Sequence, residues 1–189
     1  MKNILVINGS PNIHGNTSQI LEKLLNGIED NYNIVNLNCY KLNISPCVDC
    51  KYCSKVESCC SIKDDMTKVY KYIKEADIVI LASPMYFGMF PSTAKSLIDR
   101  CQVIWSEKFI HHINTCKHKV GILVFDAGSK WNNMFLPMET ISRYFFNTIN
   151  CDIEYKLYIS NTDKNKDLRL YSSEIENCKQ IINRELRIN

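Results

Sequence analysis

Short apolar runs along the chain alternate with segments whose apolar residues recur at helical spacing. Three runs rich in β-branched residues, Ile4–Ile7, Ile78–Leu81 and Val120–Phe125, are typical of strands buried on both faces. Residues 33–38 alternate weakly and suit a strand nearer a sheet edge, and Ile153–Ile159 also alternates like a strand. The pattern therefore predicts five strands.

Helical spacing predicts five helices, one after each strand. The first contains Ile20 to Ile28, and its candidate caps are Asn16, Thr17 and Ser18. The others open at Asp64 and Asp65, cover Ala94 to Cys101, and span residues 137–148 and 165–187. This order predicts an α/β fold with a parallel sheet and helices on both faces. Ligands in such sheets bind at the carboxyl ends of the strands, so the loops after Asn8, Ala82 and Phe125 are the candidate site.

Composition limits the function classes. The 189 residues fit one domain over residues 1–189, with a cysteine-rich insertion at about residues 39–63. A net charge of +3, without a basic arm, gives no sign of a nucleic-acid partner. No signal-peptide cleavage site follows Met1, and the longest apolar stretch, Ile78–Phe90, is too short to cross a bilayer. We therefore expect a cytoplasmic protein without a membrane partner.

The first loop, residues 9–18, joins a buried strand to the start of a helix. Free backbone N–H groups and the helix dipole favour an anion there. The loop adds short polar side chains and contains no Lys or Arg; the candidate ligands are Ser10, Asn12, Asn16, Thr17 and Ser18. It matches neither a Walker loop nor a G-x-G-x-x-G loop. This chemistry suits a terminal phosphomonoester that is held and not transferred, although a capped helix start is the alternative.

The second loop follows another buried strand and is rich in aromatic residues and Met. Its candidate binding residues are Pro84, Met85, Tyr86, Phe87 and Gly88. Such side chains at the carboxyl end of a strand would border a flat apolar ring, and the backbone amides near Gly88 would bond its polar edge. Core packing of an aromatic loop is the alternative.

These motifs together resemble the NADPH-dependent FMN reductase family. The resemblance rests on Gly9-Ser10-Pro11 with Gly15-Asn16-Thr17, on Ser83 to Phe87 and on Lys95 to Arg100, in order over about residues 3–103. It implies a flavodoxin-like three-layer sandwich with strand order 2-1-3-4-5. It further implies that the first loop holds the phosphate of FMN and that the second lines the isoalloxazine. The segment Asp99-Arg100 is expected near a subunit interface, in a homodimer or homotetramer.

Two positions depart from the family pattern. The family often has Arg after the Gly-Ser-Pro, whereas this chain has Asn12, which removes one charge near the phosphate. The third loop, Asp126 to Ser129, lacks the glycine pair often found there. We assign Asp126 and Gly128 a flavin contact, with a turn residue as the alternative role of Asp126.

Cysteines cluster between residues 47 and 60. Cys47, Cys50 and Cys53 form C-x2-C-x2-C, a spacing that can wrap a 4Fe–4S cluster if a fourth thiol closes it. Structural zinc more often uses two separated pairs, and a cysteine-rich loop without a cluster is the other alternative. The motif is similar to that of iron–sulfur flavoproteins, a branch of the same family. That resemblance favours Cys60 over Cys59 as the fourth ligand.

The resemblance implies an oxidoreductase in which NAD(P)H reduces FMN and the flavin then reduces an unknown acceptor. In this scheme the flavin carries the chemistry and no side chain must act as acid or base. The alternative is an iron–sulfur flavoprotein that carries electrons between protein partners such as ferredoxin. A binding module without FMN ranks last. No residue that distinguishes NADH from NADPH can be placed.

Overall fold

The five strands form one parallel sheet in a computed structural model that describes residues 1–28, 32–165 and 167–184. The strands are β1 Lys2–Asn8, β2 Tyr32–Asn38, β3 Ile78–Pro84, β4 Lys119–Asp126 and β5 Cys151–Ile159. Their order is β2-β1-β3-β4-β5, and all four neighbouring pairs are parallel. The expected order is confirmed, and β2 lies at a sheet edge as its weak alternation predicted.

Helices cover both faces of the sheet. They are α1 Asn16–Leu25, α2 Met66–Glu75, α3 Ser92–Arg100, α4 Gln102–Phe109, α5 Leu136–Thr148 and α6 Ser172–Arg184. One apolar cluster joins the sheet to α1 and α6, and a second joins the opposite face to α2, α3, α4 and α5. Because central strands must bury both faces, their continuous apolar runs follow from this arrangement. The flavodoxin-like three-layer sandwich is confirmed.

Two helices differ from the sequence expectation. The sequence pattern did not predict α4, whose buried positions include the polar Ser106 and Glu107 and therefore hide its periodicity. The last helix begins at Ser172 rather than at residue 165, because a short 3-10 turn occupies Leu168–Tyr171. Residues 166 and 185–187 of that prediction lie outside the described residues. Across the described ranges, none of the helices has both the length and the apolar character of a membrane span.

Candidate functional site

The loops after β1, β3 and β4 meet at the carboxyl edge of the sheet. The N–H of Gly9 donates to the carbonyl of Ala82 at 2.8 Å, which joins the first loop to β3. The N–H of Met85 donates to the carbonyl of Asp126 at 2.8 Å, which joins the second loop to β4. The three segments that the sequence singled out therefore form one surface.

Gly9 allows the first two loops to approach each other closely. A Cβ at this position would lie 2.9 Å from Oγ of Ser83 and 3.0 Å from Cβ of Ala94. Both distances are shorter than ordinary contacts, so a larger residue would push β1 away from β3 and α3. The glycine is thus required by packing between strands, in addition to its place in the phosphate-loop motif.

The first turn of α1 presents unpaired backbone donors. The helix begins at Asn16, and its N-cap is Gly15, which has no side chain to accept a hydrogen bond. The prediction that Asn16, Thr17 or Ser18 caps the helix is therefore wrong, because all three lie inside its first turn. Within the described chain, no acceptor is bonded to their N–H groups. Free donors at a positive helix end form a site for an anion.

The polar side chains of the first loop mainly fix its shape. Ser10 is buried, and its hydroxyl donates to the carbonyl of Asn12 at 3.2 Å. Oδ1 of Asn12 accepts from the N–H of His14 at 2.9 Å, and the hydroxyl of Ser18 donates to the carbonyl of Asn12 at 3.0 Å. These bonds hold the loop open around the helix N-terminus and leave the backbone to face a ligand.

Two asparagines that the sequence analysis missed support the same loop. Oδ1 of Asn8 accepts from the N–H of Ser10 at 2.9 Å, and Nδ2 of Asn38 donates to the carbonyl of Ser10 at 3.1 Å. Asn8 and Asn38 are register partners at the carboxyl ends of β1 and β2. A polar residue at the end of an apolar strand was visible in the sequence, but its pairing depends on the register.

Thr17 and Asp126 connect the first loop to the third. The hydroxyl of Thr17 donates to Oδ1 of Asp126, and both side chains are buried. Burial raises the pKa of Asp126 to about 6, although the bond from Thr17 opposes that rise. The Thr17 hydroxyl is therefore occupied by a carboxylate, so only the backbone N–H of Thr17 remains for a phosphate.

The second loop is a tight hairpin with an aromatic tip. Tyr86 and Met89 exchange backbone hydrogen bonds at 2.9 and 3.0 Å, so Phe87 and Gly88 form its two-residue turn. Both turn residues have positive φ, 50° for Phe87 and 77° for Gly88. Glycine adopts this conformation easily, but an aromatic residue does so at a cost. Phe87 is fully exposed and Tyr86 is 46% exposed, which leaves apolar ring surface exposed at the carboxyl edge of the sheet.

The third loop is supported by the segment after β5. The N–H of Ala127 donates to the carbonyl of Ile159 at 2.9 Å, and the hydroxyl of Thr162 donates to the carbonyl of Ala127 at 3.1 Å. A Cβ on Gly128 would lie 2.4 Å from a carboxylate oxygen of Asp163. Packing against Asp163 thus accounts for this glycine, and its contact with a flavin stays a prediction.

The four favoured cysteine ligands line one cavity, on the segment between β2 and α2. Its volume is about 330 Å³, and its lining includes Cys47, Cys50, Cys53 and Cys60 but not Cys59. Cys59 instead accepts a hydrogen bond from Nζ of Lys63 at 3.1 Å. The arrangement agrees with the choice of Cys60 as the fourth thiol.

The cavity combines thiol groups with apolar walls. Among the described residues, no three His, Cys, Asp or Glu side chains already converge as ligands of one metal ion. In a cubane each thiolate binds a different iron, so four sulfurs surround the group instead of meeting at one atom. Apolar walls are formed by Ile62, Val103 and Ile110. Oγ of Ser61 lies 3.2 Å from Sγ of Cys50, and the hydrogen bond between them lowers the pKa of that thiol.

Arg100 fastens the cysteine segment at both ends. Its Nη1 donates to Oδ2 of Asp64 and to the carbonyl of Ser45, both at 2.7 Å. Its Nη2 donates to Oδ1 of Asp64 at 3.1 Å and to the carbonyl of Ile62 at 3.2 Å. The Arg100 side chain is 1% exposed and lies beneath the cysteine segment, and the subunit interface expected near Asp99-Arg100 stays a prediction. Sequence spacing gave no sign of this ion pair.

Comparisons with known proteins identify the family of the chain. Residues 2–144 match the sequence profile of the NADPH-dependent FMN reductase family. An iron-sulfur flavoprotein of Methanocaldococcus jannaschii is 38% identical over 98 residues, which are 51% of this chain and 50% of that protein. A second one from the same organism is 29% identical over 140 residues, which are 74% of this chain and 68% of that protein. The first match thus spans about half of the relative's length.

A solved structure extends the likeness to the whole fold. The FMN-dependent NADH-azoreductase of Bacillus anthracis, in complex with FMN, has a TM-score of 0.65 at 14% identity. The alignment covers 96% of this chain and 99% of the azoreductase. At this identity the likeness supports the fold alone. The family profile, in contrast, covers most of the sequence, and with it we conclude that this chain belongs to the NADPH-dependent FMN reductase family.

Proposed function

We propose that this flavoprotein is an oxidoreductase that passes electrons from NAD(P)H through FMN to an acceptor. The observation that carries the proposal is one surface that combines the free N–H groups of α1 with the exposed aromatic hairpin. The free N–H groups suit a phosphate, and the exposed aromatic side chains suit a flat ring. The family match supports FMN as the cofactor that unites them.

The first loop would hold the phosphate and the second would border the ring. The N–H groups of Asn16, Thr17 and Ser18 would donate to the phosphate oxygens, with Ser10 and Asn12 holding the loop in place. The segment Pro84–Gly88 would orient the isoalloxazine and keep one side of it away from water. When bound, FMN supplies hydride and single-electron chemistry. The residues of this chain contribute position and a phosphate site whose loop has no Lys or Arg.

The phosphate part of the proposal is tested by comparing FMN with riboflavin. Both share the ring, but only FMN can use the donors at the start of α1. We expect the FMN dissociation constant, measured by flavin fluorescence quenching, to be at least tenfold lower than that of riboflavin. Equal affinities would show that the helix N-terminus does not hold the phosphate.

Electron entry is tested with the reconstituted protein in an anaerobic stopped-flow instrument. Mixing with NADH or with NADPH should bleach the flavin absorbance, and the faster reaction identifies the nicotinamide used. If neither bleaches the flavin but a reduced ferredoxin does, the reductase proposal is wrong and the electron-carrier alternative is correct.

The cysteine cavity favours that second candidate, an iron–sulfur flavoprotein that moves electrons between proteins. The curated relatives above carry that name, and the four thiols lie around one cavity. Cys47, Cys50, Cys53 and Cys60 would ligate a 4Fe–4S cluster, which supplies single-electron transfer when bound. Cys50 lies at the surface, so an external donor such as ferredoxin could approach it.

Two adjacent cysteines provide a matched test of the cluster. Anaerobically prepared wild-type protein should contain about four irons per chain, with matching acid-labile sulfide. Cys60→Ser should lose most of the iron and sulfide, whereas Cys59→Ser should keep them. Of these two adjacent cysteines, only Cys60 lines the cavity. Stoichiometric FMN without iron in the wild type would exclude the cluster. Equal losses in both variants would refute the choice of Cys60.

We also propose a cytoplasmic homo-oligomer. Trp105 on α4 is 38% exposed and Tyr144 on α5 is 74% exposed, and both border the same groove. Light scattering of the holoprotein should give the mass of a dimer or tetramer, and a monomer at micromolar concentration would contradict this.

A further inference from the structure

A buried cation shares the cavity of the four thiols. Arg100 lines that cavity and is 1% exposed. The N–H groups of Nη1 and Nη2 make four hydrogen bonds, to Asp64, Ser45 and Ile62. Its Nε is buried and has no hydrogen-bond acceptor among the described residues. A buried N–H of a charged group without an acceptor is costly, so the guanidinium is one acceptor short.

A cluster would provide that acceptor. Four thiolates give a 4Fe–4S group a net negative charge, and adding one electron makes it more negative. A neighbouring cation therefore stabilises the reduced form more than the oxidised form. Hydrogen bonds to the sulfurs act in the same direction, and burial strengthens both effects.

We propose that Arg100 is a positioning residue that donates Nε–H to a sulfur of the cluster and raises its reduction potential. This inference rests on the proposed cluster at Cys47, Cys50, Cys53 and Cys60. The same side chain fixes Ser45 and Ile62, on either side of the thiols, and so sets the size of the cavity.

Asp64 limits the effect of this cation. Its carboxylate is bonded to both terminal nitrogens of Arg100 and is 5% exposed. The carboxylate therefore offsets part of the positive charge that reaches the cavity. Removing either partner of the pair should change the potential, but in opposite directions.

The experiment is an anaerobic redox titration of the holoprotein, followed by the electron paramagnetic resonance signal of the reduced cluster. Arg100→Gln should lower the midpoint by about 59 mV, which corresponds to a tenfold loss in the equilibrium constant of a one-electron couple. Arg100→Lys keeps the positive charge but loses the Nε–H donor and the two-nitrogen contact with Asp64. Its midpoint should therefore lie between those of Arg100→Gln and the wild type. Asp64→Asn should raise the midpoint. Arg143→Gln, which removes an exposed positive charge bonded to Glu139, is the control and should leave it unchanged.

Each outcome decides between the proposals. If Arg100→Gln fails to assemble a cluster, the opposite shifts of Arg100→Lys and Asp64→Asn still carry the test. If iron-loaded variants of Arg100 and Asp64 have the wild-type midpoint, or if both shift in the same direction, the inference about Arg100 is wrong while the proposed cluster stands. A wild-type protein without iron overturns the proposed cluster and this inference with it.

Discussion

Asp126 is a buried carboxyl group whose ionisation should destabilise the apoprotein. It lies at the end of β4, is 5% exposed and has the hydroxyl of Thr17 as its side-chain partner. Burial raises its pKa from 3.8 to about 6. Asp126→Asn keeps the shape and an acceptor for Thr17 but removes the charge. We therefore expect this variant to be more stable than the wild type near neutral pH.

The size of the effect follows from the two pKa values. Because the folded state holds the proton of Asp126 more tightly than the unfolded state, the contribution of Asp126 to stability is most favourable below about pH 4 and falls as the pH rises to about 6. The full loss is about 3 kcal/mol, since each pKa unit corresponds to about 1.4 kcal/mol. Asp126→Asn lacks this loss, so its advantage should be small at pH 4 and about 3 kcal/mol at pH 8.

Urea unfolding of the apoprotein at pH 4 and pH 8 measures this difference. Asp152→Asn is the control, because Asp152 is exposed on β5 and should change stability by less than about 0.5 kcal/mol at either pH. The charge also lies beside the proposed phosphate site, so Asp126→Asn should tighten FMN binding at pH 8. An equal change in stability at both pH values, or a loss at pH 8, would refute the assignment of a buried ionised carboxyl.

Three further substitutions test the site and its support. Gly9→Ala should destabilise the protein by about 1–3 kcal/mol and raise the FMN dissociation constant, since its Cβ would meet Ser83; urea unfolding and calorimetric titration check this. Phe87→Asn should stabilise the apoprotein by about 1 kcal/mol in urea unfolding, because Asn tolerates positive φ and the exposed ring loses no burial. Glu107→Gln should cost about 3 kcal/mol at pH 7, because it leaves Lys74 without its buried partner. Burial alone would raise the pKa of Glu107, but hydrogen bonds from Lys74 and other residues hold it below its usual value. Protonation in acid removes the ion pair from the wild type, so the destabilisation by Glu107→Gln measured in urea should be smaller at low pH.

Local patterns were sufficient for most of the fold. Continuous apolar runs specified β1, β3 and β4, because central parallel strands bury both faces. Helical periodicity specified α5 to within one residue at each end and the start of α2 to within two residues. It failed at α4, where the buried Glu107 pairs with Lys74 of α2, a contact that no local pattern reveals.

The candidate site was predictable as a set of loops but not as a set of contacts. The chain order of strands and helices indicated which loops share an edge of the sheet, since parallel strands have their carboxyl ends together. Which side chains then face a ligand was a different question. Thr17 was expected to bind phosphate, yet its hydroxyl is bonded to Asp126, which is 109 positions away in the chain.

The sequence by itself determined the succession of strands and helices apart from α4, the loops that meet at the carboxyl edge of the sheet, and the clustering of cysteines between residues 47 and 60. These depend on residue type and on short spacing, which the chain displays directly. Only the tertiary structure decided that Arg100 lies beneath those thiols and that Asp126 is buried beside the phosphate loop. The electrostatic effect of each charged group depends on its burial and on partners distant in the chain, and neighbouring residues in the sequence predict neither of these.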